Sequence, residues 1–180
     1  MKAGSPTDEG LPGLVGGSTS VSLSESIVGM HYRYPDHYVV GREKIREYAT
    51  AVKNEDASFF DEKAAADLGY AGLLAPLTFI SVFGYQAQTA FFASAEIGIQ
   101  DAKIVQVDQE LKFLKPIVAG DRLFCDVYVH SIRRSFGADI IVTKNIVTNQ
   151  KGDVVQETYT TLAGRAPEDG EEGGFNNGVA

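Results

Sequence analysis

The stretch from Leu77 to Phe92 leaves this chain few ways to fold. Leu77, Ile80, Ser81, Gly84, Tyr85, Gln88 and Phe92 recur at three- and four-residue spacing, the period of an α-helix. Phe79, Val82, Phe83, Ala87 and Phe91 make the opposite side apolar too. A helix that is apolar all round has to be covered on every side. A membrane span needs about 20 apolar residues, and this stretch is both shorter and broken by Ser, Tyr and Gln. No membrane insertion is expected. A sheet wrapped around the helix is the solution left in water, and the spacing predicts a helix from about Pro76 to Ala93.

Such a sheet is legible further along. From Lys103 to Leu114, Val105, Val107, Leu111 and Phe113 fall on alternating positions, which predicts a half-buried strand. Turn residues at Gly120-Asp121, Ser135-Phe136-Gly137 and Asn149 to Asp153 divide the rest into strands over Arg122–Arg134, Asp139–Thr148 and Val154–Ala163. Upstream, Tyr32 to Val40 reads as an extended segment with a short strand. Arg42 to Lys53 reads as a helix with Ile45, Tyr48, Ala49 and Val52 on one face, and Asp61 to Leu68 as a short helix closed by Gly69. Helices followed by a run of antiparallel strands make an α+β domain. Residues 26–165 form that domain. Residues 1–25 read as a flexible Gly/Ser/Pro extension without a secretory signal, and residues 166–180 as a disordered acidic tail.

Charge and chemistry-bearing residues exclude several functions. Of the formal charge of −8, residues 1–25 carry −2 and residues 166–180 carry −4, which leaves −2 for the domain. That is no electrostatic footprint for nucleic acid. Arg42, Lys44, Arg46, Lys112, Lys115, Arg133 and Arg134 are the side chains that could form a basic patch for an acidic partner. The single Cys125 cannot make an intrachain disulfide, so a cytoplasmic setting is expected. It falls in an apolar run and reads as a small buried hydrophobe. His31, His37 and His130 have no companions at zinc-site spacing, so no metal is expected. Gly-rich phosphate loops are missing, and no Ser or Cys has a nearby base, so no cofactor or nucleophile is called for. Asp36 is the most interesting acid, with a capping role as the plainer reading. Ser81, Tyr85 and Gln88 form a polar stripe on the central helix, which has to meet a polar wall or line a wet channel.

The segment before the helix carries a family resemblance. Asn54 to Phe59, the short helix after it and Leu74-Ala75-Pro76-Leu77 resemble the hydratase-2 motif of the MaoC-like hot-dog family. That motif is G-D-x-N-P-x-H, then a short helix and I-A-H-G-M. The resemblance implies a hot-dog fold, a curved antiparallel sheet wrapped around one long helix. It also implies work on (3R)-hydroxyacyl and enoyl thioesters, with an Asp and a His five residues later moving the proton. Setting Leu74-Ala75-Pro76-Leu77 on I-A-H-G places Asn54 at that Asp and Phe59 at that His, with Pro76 at the second His. Asn does not titrate, and Phe neither donates nor accepts. On this reading the chain has no catalytic residue of its own.

From about Ile27 to Arg165 the chain resembles more narrowly the substrate-binding subunits of heterodimeric mycobacterial (3R)-hydroxyacyl-ACP dehydratases of type II fatty-acid synthesis. The residues that carry this are His31 to Tyr38, Gly41-Arg42-Glu43, Leu74 to Phe79, Ile104 to Gln109 and Thr143-Lys144-Asn145. The resemblance implies two partners, a catalytic hot-dog subunit and an acyl-carrier protein. It also implies an acyl channel between helix and sheet near Ser81, Tyr85, Gln106 and Asn145, with Gln106 and Asp108 on one strand face. A homodimeric module that binds acyl thioesters without reaction is the alternative. An enzyme acting alone, with relocated acid and base, is a third.

Overall fold

Four side chains at four-residue spacing, Phe79, Phe83, Ala87 and Phe91, are buried to within 1% and set the helix against the sheet. The computed structural model describes residues 27–95, 97–99, 104–165 and 175–177. Its long helix α3 spans Ser81–Ser94, preceded by a 3-10 turn over Leu77–Ile80. The predicted start at Pro76 is therefore early by about a turn. Pro76 is extended (φ −54, ψ 146) and caps the 3-10 turn, since proline has no N–H to bring to a helix interior.

A six-stranded sheet faces α3. Strands β1 (His31–Arg33), β5 (Arg122–Ser135), β6 (Ala138–Thr148), β7 (Val154–Arg165) and β4 (Ile104–Phe113) run in that order across an antiparallel sheet, and β2 (Tyr38–Val39) also pairs with β5. Along β5 the burial alternates, with Leu123, Cys125, Val127 and Val129 inward, as a half-covered strand requires. This is a hot-dog domain: a curved sheet around one long helix. Helix α1 (Arg42–Ala51) and helix α2 (Glu62–Asp67) close one end. The Asp61 carboxylate accepts from the Ala64 N–H at 2.8 Å and caps α2. Gly69, at φ +89, supplies the left-handed residue that ends it.

The leading segment wraps over the helix ridge with its tyrosines. Tyr34 meets Phe83 edge-on at 5.5 Å, Tyr38 stacks on Phe83 at 5.5 Å, and Tyr48 meets Phe79 at 5.5 Å. Each such pair adds about 0.5–1.5 kcal/mol to plain burial.

Two expectations change. The helix is covered on one side only: Ser81, Gln86 and Thr89 are exposed, and Tyr85 is 71% exposed. The β4 strand is not half-buried either, since Val105 and Val107 are 59% and 55% exposed. The sheet path ends at β4, and among the described residues nothing pairs with its outer edge. Helix face and strand edge are thus left bare together. Within β4 the register with β7 shifts between Gln106 and Asp108, so Val107 forms a bulge. The readings for residues 1–25 and 166–180 lie outside the described residues, apart from strand β8 (Phe175–Asn177), which pairs with β3 (Ile97–Ile99). Among the described residues no helix is long and apolar enough to cross a membrane.

Cys125 is fully buried on β5, and burial, with the Asp126 carboxylate adding to it, pushes its thiol up to about 12. The thiolate is the reactive form. Iodoacetamide at pH 8 should leave the native protein unmodified and label it stoichiometrically in denaturant. Labelling of the native protein at the rate of a free thiol would contradict this packing.

Candidate functional site

Between α3 and the β4–β7 side of the sheet lies a cavity of about 370 Å³. The helix contributes Ser81, Gly84, Tyr85 and Gln88, β4 contributes Gln106, Gln109 and Leu111, β6 contributes Asn145, and β7 contributes Thr158 and Thr160. Ser81, Tyr85, Gln106 and Asn145, named from the sequence as channel residues, all lie in this lining.

The chemistry of the wall is that of amides and hydroxyls. Ser81 Oγ donates to the Thr78 carbonyl at 2.8 Å, which ties its hydroxyl into the turn before α3. Gln88 Nε2 donates to Thr143 Oγ1 at 3.1 Å, bridging helix and sheet. Asn145 is 3% exposed, and its Nδ2 reaches the Gly84 carbonyl only at 3.5 Å. Its Oδ1 has no partner among the described residues. A buried amide oxygen left so is an acceptor for a ligand's donor. Gly84 lies against this amide: a Cβ at that position would meet Asn145 Nδ2 at 3.8 Å, an ordinary contact.

The bulge at Val107 corrects one expectation. Strand alternation would set Gln106 and Asp108 on one face, but an inserted residue reverses the alternation. Gln106 pairs with Leu162 and Asp108 with Thr161, so Gln109, not Asp108, joins Gln106 in the cavity. Thr158 and Thr160 were also missed. Their two-residue spacing with Gln156 marks them as one inward face of β7.

Asn54 and Phe59 stand apart from this cavity. Asn54 is exposed, and its Oδ1 accepts from the Asp56 N–H at 3.2 Å. Asp56 in turn caps the 3-10 turn Ala57–Phe59, accepting from the Ser58 hydroxyl at 2.7 Å and the Ser58 N–H at 2.9 Å. Those bonds hold its carboxyl below the usual range. Phe59 is buried and lines a second cavity of about 270 Å³ with Leu74, Pro76 and Phe113. Neither cavity's lining contains a carboxylate or an imidazole.

The remaining candidates serve local structure. Asp36 Oδ1 accepts from the His37 N–H at 2.7 Å, the capping role expected of it. His31 bonds Asp126 through Nε2 at 2.7 Å and stacks on Tyr128, away from both cavities, and Arg33 shares the same carboxylate. Among the described residues no cluster of His, Cys, Asp and Glu could hold a metal ion. The basic residues are largely paired with acids: Arg42 with Glu62, Lys44 with Glu47, Arg46 with Glu43, Lys112 with Glu110, Lys115 with Asp153 and Arg134 with Asp139.

Comparison with known proteins places this architecture. Residues 26–158 match a family described as FAS1-like, dehydratase domain region. A UPF0336 protein of Mycobacterium tuberculosis is 71% identical over 160 residues, which cover 89% of this chain and 100% of that protein. Among solved structures, a chain of the C-terminally truncated HadBC (3R-hydroxyacyl-ACP dehydratase) complex of Mycobacterium tuberculosis is 50% identical. It superposes with a TM-score of 0.71 over 76% of this chain and 96% of its own. A MaoC-like dehydratase is 41% identical, with a TM-score of 0.72 over 81% of this chain and 44% of its own. With its hot-dog sheet, its buried phenylalanine ridge and these relatives, the chain belongs to the MaoC-like family of hydratases and dehydratases.

Proposed function

We propose that this chain is the acyl-binding, non-catalytic subunit of a (3R)-hydroxyacyl-ACP dehydratase of type II fatty-acid synthesis. A paired hot-dog subunit supplies the Asp and His that remove water, giving the trans-2-enoyl thioester. One observation carries this reading: a cavity sits between helix and sheet, yet its lining holds no carboxylate, imidazole or ammonium. Elimination of water needs a base at the α-carbon proton and an acid at the departing hydroxyl, each within hydrogen-bond reach. The hydroxyls and amides of this lining bind a thioester and orient it, and the carboxylate and imidazole for that work come from the partner.

The open face of α3 and the bare edge of β4 support a second subunit. A strand with an exposed edge is a template for another chain, and Tyr85, Val105 and Val107 would be buried by it. The similarity to a chain of the HadBC complex supports a hot-dog partner rather than a copy of this chain. In this reading residues 26–165 form the working domain, an acyl-carrier protein delivers the substrate, and the complex operates in the cytoplasm, where the unpaired Cys125 stays reduced.

Ser81 stands at the cavity wall, so its enlargement tests the channel. Short enoyl thioesters should turn over in the Ser81→Leu complex nearly as in the wild type. Long ones should lose kcat/KM progressively, because each methylene denied burial forgoes about 0.8 kcal/mol. Equal losses at every length, tracking a fall in melting temperature, would leave Ser81 an ordinary packing residue. Asn54→Ala tests the inert site. The assembled complex should keep its kcat, since Asn54 only caps a turn. A collapse of kcat in a stable complex would place chemistry at that position.

A further inference from the structure

Phe59 does not fill the place it occupies. The second cavity, of about 270 Å³, opens beside it and shares no lining residue with the larger one. Its walls are hydrocarbon from Phe59, Leu74, Leu77, Phe113 and Ile117. At its rim the Lys115 ammonium is held by Asp153 at 2.8 Å, so the pair offers a ligand carboxylate no free cation. Pro76, also in the lining, has no N–H to give. Against this background Gln156 is out of place. It lies on β7 in register with Phe113 of β4 and Val147 of β6, is 1% exposed, and belongs to the cavity lining. Its Nε2 is buried and has no hydrogen-bond partner among the described residues. A core position between Phe and Val calls for a hydrocarbon side chain, and an amide donor left unsatisfied there is costly unless something accepts from it.

We propose that this cavity is a second ligand site, taking a neutral acyl chain of medium length whose carbonyl oxygen accepts from Gln156 Nε2. The chain lies on Leu74, Phe113 and Ile117. Among the described lining residues the one cation, Lys115, is paired with Asp153, which favours a thioester or ester over a free acid. The acyl group is held and not turned over, because Asn54 and Phe59 neither donate nor remove a proton. This site lies beyond the substrate channel proposed above and uses none of its residues.

Two probes that differ only in the acyl carbonyl test it on the full-length chain: octanoyl-N-acetylcysteamine, a thioester, and S-octyl-N-acetylcysteamine, its thioether. Titration calorimetry should find the thioester bound about tenfold more tightly, the worth of one buried hydrogen bond. Gln156→Leu, which removes the donor at similar volume, should level the two affinities while the ligand-free melting temperature holds or rises. Leu77→Trp, at an exposed position on the rim, should weaken both probes without touching the core. Failure of the wild type to bind the thioester would overturn the proposal. So would undiminished carbonyl preference in Gln156→Leu.

Discussion

The fit of the Phe79, Phe83, Ala87 and Phe91 ridge into the concave sheet is the constraint on which the rest of the structure depends. Side chains four apart form a row along a helix, and this row is buried end to end. It meets an apolar wall on β5, where Leu123, Cys125, Val127 and Val129 point inward. Across β6 and β7 the inward face turns polar, through Thr143, Asn145, Gln156, Thr158 and Thr160. The helix therefore seats on the β5 side and stands away from the β4 side. The larger cavity is the space left over, and the Ser81, Tyr85 and Gln88 stripe faces it because the phenylalanines claim the other direction.

Much of this was legible in the residues. The period of 3.6 in the helix and of 2 in the later strands located every long element, and the polar stripe located the cavity. What was hidden has physical reasons. Periodicity shows that a helix face is apolar without saying whether its own chain covers it, so the helix read as covered all round although Tyr85 is largely exposed. The bulge at Val107 carries no glycine or other signal, yet it exchanges Asp108 for Gln109 at the site. Pairs close in sequence, such as Lys44 with Glu47, could be foreseen; Lys115 with Asp153 and Arg42 with Glu62 are made only by the fold.

Asn54 and Phe59, which the proposed reading sets at the family's acid and base positions, serve the fold. Asn54 keeps a hydrogen-bonding side chain and spends it on the Asp56 N–H, fixing the turn. Phe59 moves the next position into the core, where it packs instead of titrating. Around them the segment is held by the Asp56 cap and by the antiparallel bridge between Leu74 and Val118. A chain built so can shape and hold a substrate beside another subunit's acid and base.

The measurement that bears most directly on this account is hydration of a trans-2-enoyl thioester by the purified chain, first alone and then mixed with a catalytic hot-dog subunit. Losing a general acid or base costs typically about 10²–10⁴-fold in rate. The chain alone should stay at the uncatalysed background with both crotonyl and dodecenoyl substrates, and the mixture should turn over. Ready turnover by the chain alone, abolished by a substitution within it such as Asp36→Ala, would show that it carries its own catalytic groups.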